Sequence, residues 1–261
     1  MQEKRAKLSV VLMTKNEEDK IGDCLEKIKW ADEIVIVDDY SNDRTIDIAR
    51  QYTDKIILHK SMDNHDRQWN IGIENATCEW ILHIDADEVV PVALRKRIEE
   101  ILLDSKGYDA FRLIRRNYFL RHWMKYGGWT TQSHLILFKK NSARCIGRGI
   151  HVKLDVKGKT GKIDTHIEHY PFKSIYQFIQ RQNHYSSAEA LEMLTEDSSN
   201  KIKELNYNLY IKPLKLFLKM FVKKRAYREG MLGFIFASLY AWVHFLKWAK
   251  YWEIVNNKRL V

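Results

Sequence analysis

The chain has 261 residues, 45% of them hydrophobic and 30% charged, with a net charge of +10; this is the composition of a folded protein with one sizeable domain, or one domain and a small appendage, and it excludes disordered or repeat-built polymers. The charge is unevenly divided: residues 201–261 hold thirteen Lys or Arg against three Asp or Glu, leaving 31 of each in the first 200 residues. Cys24, Cys78 and Cys145 are odd in number and lack metal-site spacing, and no apolar signal segment follows the basic start, which points to a reducing, cytosolic setting.

From residue 7 to residue 60 short apolar runs alternate with helical patterns. Leu8-Ser9-Val10-Val11-Leu12-Met13 reads as a strand, Ile21, Leu25 and Ile28 mark one helical face, and Ile34-Val35-Ile36-Val37 reads as a second, buried strand. Thr45, Ile46, Ile48 and Ala49 predict another helix, and Ile56-Ile57-Leu58 a third short strand. Strands separated by helices of about ten residues predict right-handed βαβ units, a parallel sheet and hence a Rossmann-like layer. No GxGxxG follows the first strand and no GxxxxGK[ST] loop occurs, which argues against an NAD or FAD site and against a P-loop enzyme.

The next strand, Trp80-Ile81-Leu82-His83-Ile84, runs directly into Asp85-Ala86-Asp87-Glu88. Carboxylates at i and i+2 where a buried strand leaves the sheet can hold a divalent cation such as Mg²⁺ or Mn²⁺ and leave its other positions to phosphate oxygens. The competing reading is an acidic turn that caps the helix beginning near Pro91. The first strand ends in Thr14-Lys15-Asn16-Glu17-Glu18 and the second in Asp38-Asp39-Tyr40-Ser41-Asn42-Asp43-Arg44-Thr45. Three polar strand ends therefore converge on the crevice where open α/β sheets bind ligands. Ser41-Asn42-Asp43 would serve as a helix cap, but the three ends together hold more carboxylates than caps require.

These residues resemble a known family. Ser9-Val10-Val11-Leu12 followed by Asn16-Glu17, VDDYSNDRT at residues 37–45, Gln68-Trp69-Asn70, and EWILHIDADE at residues 79–88 are similar to the inverting family 2 glycosyltransferases of the GT-A fold, in particular to bacterial lipopolysaccharide core glucosyltransferases. The likeness implies an α/β chain with a Rossmann-like mixed sheet flanked by helices and a helical, basic C-terminal appendage. It implies a catalytic domain over residues 1–190, divided near residue 105 into donor and acceptor halves, and a tail over residues 191–261. The activity implied is transfer of a hexose, glucose from UDP-glucose in the first instance, to a lipopolysaccharide-core or other membrane-linked glycan.

The resemblance also implies roles for individual residues. Asp39 or its neighbour Asp38 would accept a hydrogen bond from the uracil or ribose, with Glu17 near the ribose and Thr14 and Asn16 on the same loop. Asp85 would face the ribose or a metal-bound water. Asp87, within the DXD pattern, would bind the Mn²⁺ or Mg²⁺ that bridges the two phosphates, with His169 as a further metal or phosphate contact. Arg67, Gln68 and Asn70 would complete the donor site, Arg67 as a cationic contact; a solvated helix face is the alternative for Arg67.

Inverting transfer needs a general base for the acceptor hydroxyl, and here the chain departs from the family pattern. Gln132, Ile136 and Val152 stand where Asp, Arg and Glu would be expected. Glu88, His134, His151 and Asp155 are the alternative candidates. The same departure leaves two other readings open, a protein or peptide glycosyltransferase and a catalytically weakened nucleotide-sugar-binding protein.

Arg112, Arg115, Arg116, Tyr118, Phe119, Trp123 and Trp129 fall in one stretch, expected to be an acceptor-binding loop over the active site. No nucleic-acid-binding motif accompanies it, so no nucleic-acid partner is expected. In the tail, Leu214, Phe217, Leu218 and Phe221 share a helical face while Lys212, Lys215, Lys219 and Lys223 populate others. The uncharged run at residues 230–246 is slightly short for a bilayer span. A peripheral position on the inner face of the cell membrane follows as the expectation, with an ordinary helical appendage as its alternative.

Overall fold

The computed structural model describes residues 5–61, 64–129, 133–147, 154–195 and 204–257. Its first half is the expected parallel layer. β1 (Leu8–Thr14), β2 (Glu33–Asp38), β3 (Ile56–Leu58) and β4 (Trp80–Asp85) lie side by side in the order β3-β2-β1-β4, all parallel. Both faces of the central strands are buried. Leu8, Val10 and Leu12 pack with Ile21, Leu25 and Ile28 of α1 (Ile21–Ile28) on one face. Val11, Val35 and Ile81 pack with Trp69 and Ile73 of α3 (His65–Asn75) on the other. Two-sided burial explains why these strands read as continuous apolar runs. The short helix between β2 and β3 is α2 (Thr45–Ala49).

The chain then turns through β5 (Glu88–Val89) into α4 (Val92–Leu103) and continues as antiparallel strands: β6 (Ala110–Phe119), β7 (His122–Trp123), β8 (Ser133–Lys139) and β11 (Thr160–Phe172). β8 is antiparallel to both β4 and β6, and the sheet extends in the order β4-β8-β6-β11-β5, with β7 on β6. β9 (Ala143–Cys145) and β10 (Leu154–Val156) form a separate ribbon. The stretch expected to be an acceptor loop is thus largely the ten-residue strand β6. The alternation of buried Phe111, Leu113, Asn117 and Phe119 sets its period of two, which the interspersed arginines and Asn117 obscure in the sequence.

Glu33 staples the amino-terminal edge of the parallel strands. Its carboxylate meets the Ser9 hydroxyl of β1, accepts from the backbone N–H and hydroxyl of Thr77 at 2.7 and 2.9 Å, and pairs with Lys55 at 2.7 Å. Burial alone would raise this carboxyl, but the donors outweigh it and hold it at about 2. A lowered folded value means that the stabilisation is present above the unfolded carboxyl range and is lost as pH falls toward 2. Glu33→Gln should therefore lower the urea midpoint at neutral pH and converge on the wild type in strong acid. An equal deficit at every pH would refute the electrostatic role.

The chain forms two compact units, Met1–Arg116 with Thr131–Pro171, and Asn117–Thr130 with Phe172–Val261. The boundary falls at Phe172, ahead of residue 190, so α5 (Ile175–Thr195) belongs with the C-terminal helices. The second unit has its own aromatic core of Phe119, Met124, Phe172, Phe178 and Phe236. Trp129 packs there too, 5.1 Å from Phe236 and 5.9 Å from Tyr240 between ring centroids. Its helices include α6 (Lys212–Leu218), flanked by π-helical turns at Tyr207–Ile211 and Lys219–Lys223, and α7 (Gly230–Asn257). At 28 residues α7 is longer than the uncharged run suggested, and by length and composition it is the one helix among the described residues capable of crossing a membrane. It extends past Lys247 and Lys250 because both lysines find partners on α5: Glu189 at 2.9 Å from Lys247, and Asn183, Ser186 and Ser187 around Lys250.

Candidate active site

The carboxyl ends of β1, β2 and β4 lie together, as adjacent parallel strands require, with Thr14 opposite Asp38 and Met13 opposite Asp85. Asp38 is fully buried and serves the loops. It accepts from the Thr14 hydroxyl at 2.8 Å and from the Ser41 N–H and hydroxyl at 2.7 and 2.6 Å. Asn16, in the left-handed region at φ 53° that Asn tolerates better than most side chains, donates its N–H to Ser41 and accepts from Asn42 N–H. These bonds zip the loop after β1 to the loop after β2. Glu17 pairs with Lys20 at 3.1 Å.

Asp39 is the carboxylate presented by this frame. It accepts from Lys15 Nζ at 2.8 Å and from the Ser61 N–H and hydroxyl at 3.0 and 2.7 Å. Burial would raise it, but Lys15 and Ser61 hold it below the usual carboxylate range. Lys15 is 62% exposed, so Asp39 and Lys15 together offer an acceptor and a donor at one point.

At the end of β4 the acidic turn is not a helix cap. α4 starts at Val92 behind Pro91, with no side-chain cap and no acidic residue in its first turn. Glu88 instead folds back to accept from the Asp85 N–H at 2.9 Å. β5 pairs antiparallel with β11, placing His169 opposite Glu88, and Tyr170 N–H donates to Asp87 C=O at 2.8 Å. His169 Nε2 thereby comes to 3.5 Å from Asp87 Oδ1, with both side chains largely buried. The sequence places these residues eighty-two positions apart; the short β5–β11 ladder joins them.

Arg115, which the sequence places in the expected acceptor-binding stretch, lies on the inward parity of β6 and faces the acidic turn. Its guanidinium donates to Asp85 Oδ2 at 3.0 Å and contacts Glu88 through Nε. Glu88 is fully buried, and burial pushes its carboxyl upward against the lowering influence of Arg115. An arginine at an inward strand position was the available signal, since such a charge needs a buried carboxylate partner. His134, half-buried on β8, lies within the field of Arg115, His169 and Asp85; burial first, then Arg115, lower it to about 4.

Other expected site residues have structural partners. Gln68 is buried and donates to His59 C=O at 2.9 Å, and Asn70 exchanges two hydrogen bonds with the backbone of Cys145, clamping β9 to α3. Arg67 is exposed in the first turn of α3, in a cleft of about 510 Å³ shared with His59, Asn64, Asn70, Arg144 and Gly147. None of the acidic-turn carboxylates lines that cleft. Asp155 is exposed on β10, within the separate ribbon. His151, Gln132 and Val152 lie outside the described residues.

No group of three or more His, Cys, Asp or Glu is arranged to hold a metal among the described residues. Asp87 and His169 form a two-donor set of carboxylate oxygen and imidazole nitrogen. Such a pair of donors fits a divalent cation whose remaining ligands come from outside the chain.

A parallel α/β layer with acidic strand ends, continued by antiparallel strands of which the last returns a histidine to the acidic turn, defines a glycosyltransferase of the GT-A fold. Residues 9–155 match the model of Glycosyl transferase family 2, and the chain belongs to that family. It is 26% identical to the lipopolysaccharide core biosynthesis glycosyltransferase LpsC of Rhizobium meliloti over 252 residues, covering 94% of this chain and 92% of that protein. An uncharacterized glycosyltransferase of Rickettsia typhi is 28% identical over 268 residues, covering 98% and 90%. Among solved structures, S. aureus TarS 1–349 aligns over 97% of this chain and 91% of that one at 15% identity and a TM-score of 0.46. Glucosyl-3-phosphoglycerate synthase from Mycobacterium tuberculosis, in complex with Mn²⁺, UDP and glucosyl-3-phosphoglycerate, aligns over 42% and 44% at 20% identity and a TM-score of 0.36.

Proposed function

We propose that this family 2 glycosyltransferase is a metal-dependent, inverting enzyme that moves a hexose, glucose in the first instance, from a UDP donor. The acceptor is a lipopolysaccharide-core or other membrane-linked glycan at the inner face of a bacterial membrane. The observation that carries the reading is the approach of His169 to Asp87 beside Asp85, on the sheet edge that also presents Asp39. The acceptor class is supported by the name of the R. meliloti relative, and the location by the basic, apolar tail.

Asp39 would accept from the uracil imide N–H while Lys15 donates to a neighbouring carbonyl. Asp87 and His169 would hold the cation, which when bound supplies positive charge to the departing nucleoside diphosphate. Arg115 keeps Asp85 in place. In the single displacement, the acceptor oxygen bonds to the anomeric carbon as the bond to the diphosphate breaks on the opposite face, and the hydroxyl proton passes to a base. We assign that base to His134. Glu88 is fully buried and locked against Arg115, and Asp155 stands on another ribbon, whereas His134 is partly open and near Asp85.

Calorimetry with UDP, using ADP and GDP as controls, tests the donor site. UDP should bind with Mn²⁺ and fail to bind with EDTA, and Asp87→Ala should weaken the Mn²⁺-dependent binding by at least about 100-fold. Undiminished binding by the variant would remove Asp87 from the site. Absence of nucleotide binding by the wild type would overturn the reading itself.

A further inference from the structure

The second unit carries an exposed face built for a lipid surface. On the helix through α6, Ile211, Leu214, Leu218 and Val222 recur every three or four residues and are all exposed, Leu214 at 61%. Beside this stripe runs a second exposed row, Lys212, Lys215, Lys219 and Lys223, none of them ion-paired among the described residues. The remaining side of α6 packs on α7, where Phe217 and Phe221 meet Phe234 at 5.7 and 5.9 Å between centroids. α7 continues the apolar surface with Phe234, Trp242, Phe245 and Trp252, also exposed. A soluble helix normally turns such a stripe inward and its charges outward; here apolar and cationic rows both face outward, side by side.

α7 is long and apolar enough to cross a bilayer, but its packing argues for another orientation. α5 lies along it, with Phe178 5.5 Å from Tyr240 between ring centroids and Ala190 clustered with Trp248 and Tyr251, and the α7 lysines are tied to Glu189 and Asn183 of α5. A spanning α7 would have to strip off α5 or draw Arg181, Asn183, Glu189 and Glu192 of α5 into hydrocarbon, where charged groups are costly. Lying flat, α7 keeps α5 on the water side and gives its aromatic stripe to the acyl boundary.

We infer that α6 and α7 dock the enzyme flat on an anionic phospholipid surface, the two apolar stripes entering the headgroup boundary and the lysine row of α6 contacting lipid phosphates. This deepens the membrane part of the proposed function and is independent of the donor site, which UDP binding reads separately. Flotation of the full chain with phosphatidylcholine vesicles, with and without phosphatidylglycerol, tests it.

Wild type should float with the anionic vesicles and far less with the neutral ones. Lys215→Gln with Lys219→Gln should weaken anionic binding roughly 30-fold, and Leu214→Gln with Leu218→Gln by a comparable factor. All four side chains are exposed, so circular dichroism should show unchanged folding. Because Cys24, Cys78 and Cys145 are buried, a nitroxide can be placed at Phe234→Cys and, separately, at Trp252→Cys. Similar shallow depths at both sites support the flat orientation; positions in opposite leaflets would overturn it in favour of a span. Vesicle binding unaffected by either pair of substitutions would overturn the assigned face, and no flotation of the wild type would overturn membrane docking altogether.

Discussion

Replacing Arg115 with Met is expected to destabilise the protein by roughly 3–5 kcal/mol above about pH 8, because it removes the cation from a buried pair and leaves Glu88 without compensation. Glu88 is fully buried, and its nearest charges apart from Arg115 are the carboxylates of Asp85 and Asp87, which disfavour its ionised form. The pH dependence has a definite sign. A carboxyl raised in the folded state binds its proton more tightly there than in the unfolded chain, so stability falls as pH climbs above the unfolded value of about 4.3. In the wild type Glu88 is already raised to about 8 and losing Arg115 raises it further, so the variant should lie closest to the wild type near pH 4 and diverge from it as pH climbs past about 8. Combining Arg115→Met with Glu88→Gln should recover most of the loss, since neither charge is then buried alone. Urea unfolding of the four proteins at both pH values checks this. If the double variant is no more stable than Arg115→Met, the guanidinium acts through packing and its charge is incidental. The same substitution frees Asp85 from its 3.0 Å hydrogen bond, so UDP binding by the folded double variant reports whether Asp85 needs that anchor.

How far the sequence carries the fold and the site differs from element to element. β1, β2 and β4 are legible because they are buried on both faces and read as unbroken apolar runs, and α1 because Ile21, Leu25 and Ile28 fall on one stripe. β6 is not, since its inward row includes Arg115 and Asn117, whose polarity is satisfied only by distant partners: Asp85 and Glu88 for one, the Trp129 carbonyl for the other. The acidic residues at the strand ends were visible as a set, yet their division of labour was not. Asp38 and Asp39 are neighbours of the same type, and only the strand register shows that one fastens two loops while the other stands beside Lys15. Gln68 and Asn70 similarly occupy a motif but spend their amides on His59 and Cys145. Conversely, the tail's basic and apolar residues were evident, while the way α5 covers one side of α7 depends on side-chain pairs such as Lys247 with Glu189 that local patterning does not encode.

His134→Ala is expected to lower kcat by roughly 10²–10⁴-fold, the contribution of a positioned general base, while leaving Mn²⁺-dependent UDP binding intact. His134 sits on β8 opposite Leu113 of β6, so truncation at this half-buried site removes a side chain without unseating the sheet. In the free enzyme its burial and the Arg115 cation lower it to about 4, and the acid limb of kcat/KM, which reports free-enzyme groups, should fall near that value. A bound diphosphate adds negative charge to the site, which favours the imidazolium and moves the histidine back toward its ordinary range. The acid limb of kcat, which reports the enzyme–substrate complex, should then lie above that of kcat/KM. Both groups would start from the same range, so the His134 variants, together with the profiles, identify the base. They also separate the base from a positioning residue: His134→Gln, which keeps the size and a hydrogen-bonding end but cannot take the proton, should be as impaired as the alanine variant. Near-normal turnover by the glutamine variant would exclude His134 as the base and return the role to a residue outside the described strands, with His151 the next to replace.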